Sequence, residues 1–111
     1  MARLADLLPG TLDLMILRCL TAGPLHGYGI LQRIEQKSGN LLNIEQGSLY
    51  PALHRLEHGG VIVAEWGLSD TNRRAKFYSL TAEGKKRLRA ETREWNLFVE
   101  AMANVLAGEG A

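Results

Sequence analysis

Residues 47–60, GSLYPALHRLEHGG, decide the fold. Leu49, Ala52, Leu53 and Leu56 recur at three- and four-residue steps, the spacing of a buried helical stripe, and Gly59-Gly60 ends the helix as glycine commonly does. Ser48 is placed to cap the helix, so Pro51 is expected in its first turn, where a missing N–H costs no internal bond. Tyr50, His54, Arg55 and His58 are left on the polar side. That side is a metal site, a catalytic surface or a surface lying against nucleic acid, and the rest of the chain decides among them.

Upstream, Leu12, Met15, Ile16, Cys19 and Leu20 give a first apolar helical face over about Thr11 to Thr21, with Pro9-Gly10-Thr11 supplying the break and cap. AGPLHG reads as a connector, and Ile30, Leu31 and Ile34 mark a second helix that fades at KSGN. Downstream, VIVAEW and AKFYSL are strand-like runs joined by the polar GLSDTNRR, a hairpin with a basic tip. Trp66 reads as an anchor from this hairpin to the core. Thr81 caps a last helix running to about Leu106, roughly 26 residues or ~39 Å at 1.5 Å per residue. Leu88, Trp95, Phe98, Met102 and Val105 form a heptad-like seam on it, interrupted by Glu91, so pairing with a second copy is expected from about Trp95. The fold class is therefore mainly α with a small antiparallel β hairpin. Helix, helix, helix, strand, strand is the order of a winged helix-turn-helix, here with a long C-terminal helix.

The chain has 111 residues, 46% hydrophobic and 23% charged, which suits one globular domain and excludes wholesale disorder. Its apolar runs stop well short of the ~20 residues that a bilayer span needs, and MARLADLLPG carries an acid and no apolar signal region, so a cytoplasmic protein without a membrane partner is expected. The single cysteine, Cys19, lies in an apolar helix and reads as a small buried hydrophobe. The net charge of +1 hides a gradient. Residues 1–46 balance, residues 47–93 carry nine bases against five acids, and residues 94–111 carry three acids and no base. The middle of the chain is the candidate electrostatic footprint.

Metal and catalytic readings fail on chemistry. His54 and His58 share a helical face, but a zinc-protease helix needs Glu directly after the first His, whereas Arg55 stands there and its cation opposes a metal. His26 is the remaining histidine and belongs to the start of the second helix. HGYGIL lacks the spacing and lysine of a phosphate loop, and Cys19 has no matched His–acid pair. Neither catalytic residues nor cofactor nor metal is expected.

LLPGTLDLMILRCL, GPLHGYGILQRIE, GSLYPALHRLE, AEW and RRAKFYSLTAEGKKRL resemble, in order and spacing, the PadR family of bacterial transcriptional regulators across about residues 7–106. The length resembles its short members. The resemblance implies a winged helix-turn-helix DNA-binding domain over 1–80, a dimerisation helix over 81–107 and a loose tail over 108–111. It implies a homodimer that represses by binding a pseudo-palindromic operator in double-stranded DNA and is relieved by a small molecule or a stress signal. Gln46, Ser48, Tyr50, His54 and Arg55 become the DNA-facing positions of the third helix, with Arg73, Arg74 and Lys76 meeting phosphates from the wing. Ser79 departs from the pattern, since many relatives carry a base there. Lys85, Lys86, Arg87 and Arg89 are either a solvated face or a flanking backbone contact. The dimer seam is expected at Trp95, Phe98, Val99, Met102, Val105 and Leu106. A site for a flat aromatic effector is implied at Trp95 with Leu14 or Leu17 and a Met102 from the second copy; plain packing is the alternative for the tryptophan. The rival to a DNA-binding repressor is a winged-helix protein-interaction or ligand-sensing adaptor.

Overall fold

The computed structural model describes residues 10–108. The N-terminal stretch MARLADLLP and the tail residues 109–111, on which the signal-region and loose-tail expectations rest, lie outside it. Four α-helices and a small antiparallel sheet follow one another as α1 (Thr11–Cys19), a 3-10 turn (Leu20–Ala22), β1 (Leu25–His26), α2 (Gly27–Lys37), α3 (Gln46–His58), β2 (Ile62–Leu68), β3 (Arg74–Leu80) and α4 (Ala82–Leu106).

The core is a single cluster in which Ile16 and Leu17 of α1, Ile30 of α2, Leu49, Leu53 and Leu56 of α3 and Ile62 of β2 are all essentially buried. Each helix contributes the face that its apolar spacing selects. Burying a leucine or isoleucine contributes about 1.5–3 kcal/mol, so this cluster dominates the local preferences of three short helices. α1 begins one residue later than its cap, with Gly10 at the N-cap in the left-handed region at φ 86°, and it ends at Cys19 in a tight 3-10 turn rather than running on as α-helix to Thr21.

The connector AGPLHG contains a strand. Leu25 and His26 pair antiparallel with Tyr78 and Phe77, giving a three-stranded sheet in the order β1-β3-β2. Two residues between a proline and a glycine carry too short a pattern to read as a strand; pairing with β3 makes them one. His26 then turns the chain into α2, its Nδ1 accepting a hydrogen bond from Gly29 N at 3.0 Å. The third histidine is thus a helix cap.

The hairpin is longer than its two apolar runs suggest. β2 and β3 pair from Ile62↔Leu80 out to Leu68↔Arg74, so the turn shrinks to Ser69–Arg73, closed by Ser69 N donating to Arg73 O at 2.8 Å and by Asn72 at φ 60°. α4 begins as the sequence predicts, Thr81 Oγ1 accepting from Gly84 N at 3.0 Å. Its first half packs on α1 and buries Gly84 and Leu88, the glycine against Val61 and Leu80; from Asn96 onward every described residue is exposed. That projecting half lengthens the molecule to 57 × 31 × 22 Å.

Candidate nucleic-acid interface

α3 starts three residues earlier than expected. Glu45 occupies the N-cap position at φ −81°, ψ 148°, and its carbonyl accepts from Ser48 N at 3.0 Å and Leu49 N at 3.1 Å. Ser48 is therefore an exposed residue of the first turn and not the cap. Pro51 consequently lies inside the helix, in the second turn. Its ring cannot donate to the Gly47 carbonyl, an interior cost of about 3 kcal/mol that the burial of Leu49, Leu53 and Leu56 offsets. Gly47 is exposed, which leaves its carbonyl to solvent.

At about 3.6 residues per turn, the buried stripe leaves three other directions on α3. Gly47, Pro51, His54 and His58 form the outward crest and are exposed. Gln46, Tyr50 and Glu57 flank it on the wing side, where Lys76 Nζ of β3 lies 3.3 Å from Glu57 Oε1. Ser48 and Arg55 flank it on the side of α1, where Arg55 Nη2 donates to Asp13 Oδ1 at 2.9 Å. Arg55 was expected with the other DNA-facing groups; its guanidinium is instead engaged away from the wing.

Tyr50 reaches across to α2. A Cβ on Gly27 would stand 2.7 Å from the tyrosine hydroxyl and 3.0 Å from its ring carbons, so the glycine is what lets the ring lie over the start of that helix. Tyr50, Arg73, Arg74 and Lys76 share one open groove between wing and helices, whose walls also include Tyr28 and Trp66. Gln46, Ser48 and His54 lie outside it, exposed on α3.

Trp66 corrects the sequence reading. It is 60% exposed, and the Arg74 guanidinium carbon lies 4.7 Å from the centre of its ring. Alternation puts Trp66 on the same sheet face as buried Ile62, but four pairs further along the hairpin, past the end of the core. There the indole becomes a platform for the arginine. The residues missed in the sequence are Tyr28, 57% exposed in the first turn of α2, and Trp66 itself. Both had a signal: the bulky aromatic of HGY at a helix start, and the period of two in the hairpin.

Burial raises the pKa of the Tyr78 phenol, and the neighbouring Lys76 ammonium partly counteracts it. Tyr78 stays neutral beside the ammonium group, whose Nζ lies 5.8 Å from the ring centre.

A second groove, of about 470 Å³, lies between α1 and α4. Leu14, Trp95, Phe98, Arg87 and Glu91 line it. Leu17 does not: it is fully buried in the core. This chain's own Met102 lies about one turn beyond Phe98 on α4, exposed; the Met102 expected at the site belongs to a second copy. Trp95 and Phe98 face each other with ring centres 5.9 Å apart, and Phe98, Val99, Met102, Val105 and Leu106 continue as an exposed apolar surface.

The architecture and the sequence are those of known regulators. A family model described as "Transcriptional regulator PadR-like family" matches residues 16–90. An uncharacterized protein X of Lysinibacillus sphaericus is 35% identical over 106 residues, covering 88% of this chain and 96% of its own length. A transcriptional regulator from Clostridium thermocellum superposes with a TM-score of 0.80 at 33% identity, over 89% of this chain and 96% of that one. Bacillus subtilis PadR, solved in complex with operator DNA, superposes with a TM-score of 0.66 at 29% identity, over 74% of this chain and 46% of that one. With a fold of winged-helix type, a match over most of its length and relatives of this similarity, the chain belongs to the PadR-like family of transcriptional regulators.

Proposed function

We propose that this regulator is a homodimeric repressor that reads a pseudo-palindromic operator in double-stranded DNA. The observation that carries the reading is the open groove that Tyr50 of α3 shares with Arg73, Arg74 and Lys76 of the wing, beside the exposed crest of the same helix. Gln46, Ser48, Tyr50 and His54 address base edges and nearby phosphates in the major groove, and the wing bases neutralise phosphates. Arg55, tied to Asp13, contributes less than its charge suggests. The operator-bound Bacillus subtilis relative supports the assignment.

Residues 1–80 form the DNA-binding unit, residues 81–107 the dimerisation helix, and residues 108–111 a tail. Trp95 and the exposed apolar residues Phe98, Val99, Met102, Val105 and Leu106 pair two copies, with the two α3 helices about one helical turn of DNA, ~34 Å, apart. The protein works in the cytoplasm. A flat aromatic effector binds at Trp95 and Leu14 beneath the dimer seam and relieves repression.

Fluorescence anisotropy with duplexes selected from a random pool tests the reading. A selected duplex should bind at least a hundredfold tighter than random DNA, and affinity should fall steeply with salt. Equal binding to both, or no salt dependence, would instead favour a protein-binding adaptor.

A further inference from the structure

Asp13 stands where three helices meet. It lies in the first turn of α1, and its side chain is only 14% exposed. Its Oδ1 accepts from Arg55 Nη2 of α3 at 2.9 Å, and its Oδ2 lies 3.6 Å from Arg87 Nη2 of α4. Arg87 in turn donates through Nε to Glu91, one turn further along α4. One carboxylate thus holds a cation from the helix with the DNA-facing side chains and a cation from the helix that carries the dimer seam.

The apolar stripe of α3 selects the face it buries and close packing limits its roll, so polar contacts at its flanks refine its setting. Directional contacts flank the helix on both sides. Glu57 is tied to the wing through Lys76, and Arg55, two residues earlier, is tied through Asp13 to α4. The second tie refers the middle of α3 to α4, whose far half carries the apolar seam of the proposed dimer.

We infer that Asp13 is a positioning residue that sets the angle of α3 against α4, and with it the half-site spacing that the dimer accepts. Arg87 serves the same end from α4 without touching DNA. The inference rests on the DNA-reading dimer proposed above. Partly exposed ion pairs are individually weak, so the effect is a sharpening of spacing preference and not a loss of binding.

The test uses the full-length protein and a duplex selected by it from a random pool, alongside the same duplex with one base pair added or removed between the half-sites. Asp13→Asn and Arg87→Gln should each reduce the wild-type preference for the correct spacing by about 1.4- to fivefold, the range given by pair energies of roughly 0.2–1 kcal/mol. The double variant should lose no more than the larger single loss, because both remove one clasp. Ser38→Ala, which removes side-chain bonds to Glu35 O and Leu42 N at the end of α2 and touches neither α3 nor α4, should lower the Tm and leave the spacing preference as it was. Unchanged preference in Arg87→Gln, or additive losses in the double variant, would overturn the inference even if Asp13→Asn folds poorly. Failure of the wild-type protein to select any duplex would overturn the DNA-binding function beneath it.

Discussion

Lys76 Nζ of the wing sits 3.3 Å from Glu57 Oε1 of α3, so a base in the groove is half-neutralised by a carboxylate on the neighbouring helix. Glu57→Gln should release that ammonium to a phosphate. Affinity for random DNA should rise severalfold, and the slope of log K against log salt should steepen by about one. An unchanged slope in a salt titration would mean that Lys76 does not meet the backbone.

Arg73 and Arg74 differ in their surroundings although they are neighbours. Arg74 lies over Trp66, whereas Arg73 is exposed at the turn. Replacing both by alanine should weaken binding to all duplexes alike and flatten the salt slope by about two. Trp66→Ala should reproduce part of the Arg74 effect by removing its platform, by up to about 1 kcal/mol at an exposed site. Anisotropy titrations at several salt concentrations separate these contributions.

Two glycines separate function from folding. A Cβ on Gly84 would stand 2.0 Å from the Val61 carbonyl oxygen, a backbone atom that cannot step aside. Gly84→Ala should therefore destabilise the protein by about 1–3 kcal/mol or more, seen as a lower midpoint in urea. Gly27→Ala meets only the end of the Tyr50 side chain. The fold should survive with a smaller loss of stability, while displacement of Tyr50 weakens binding to the selected duplex.

Phe98→Glu combined with Val105→Glu places charge on two exposed apolar positions of the projecting half of α4. Sedimentation should show a monomer with unchanged helical content, and operator affinity should drop at least a hundredfold, since one recognition helix is lost from each complex. A dimer that persists would move the interface elsewhere.

Burial raises the pKa of the Cys19 thiol above its ordinary value, outweighing the opposing pull of Arg33 and Lys37. A raised thiol is protonated in the folded state when the unfolded chain has begun to ionise. The stabilisation from this group is fully present below the ordinary value of 9.0 and is lost as pH rises towards the folded-state value. Cys19→Ala should therefore show a smaller fall in stability above pH 9 than wild type. In the native protein the thiol should resist alkylation at pH 8 until urea unfolds it.

The helices were legible because the core-facing residues Ile16, Ile30, Leu49 and Leu53 follow helical spacing with little interruption. The cap of α4 was legible too, since Thr81 makes its bond within three residues. The start of α3 was not, because Ser48 is a good cap by composition and only the tertiary burial of Leu49 shows that the helix has already begun. β1 was hidden for a similar reason: two residues become a strand only because β3 is beside them. Among the site residues, sequence spacing could put Arg55 on an exposed side of α3, but it could not show Asp13, 42 residues away, receiving it. Trp66 was misjudged because its hydrophobicity was weighed without its distance along the hairpin.

Thr81 does more than begin α4. Its hydroxyl donates to Gly60 O at 2.8 Å while accepting from Gly84 N, and its own N–H donates to Val61 O at 3.1 Å. The strand leaving α3 and the helix leaving the wing are thereby riveted together at one knuckle, with the Gly84 backbone pressed too close for even a methyl group. A two-part machine would need a pivot there, and the chain has a weld. In the proposed dimer, a change in the distance between the two α3 helices would therefore arise where the copies meet, each copy swinging as a solid arm.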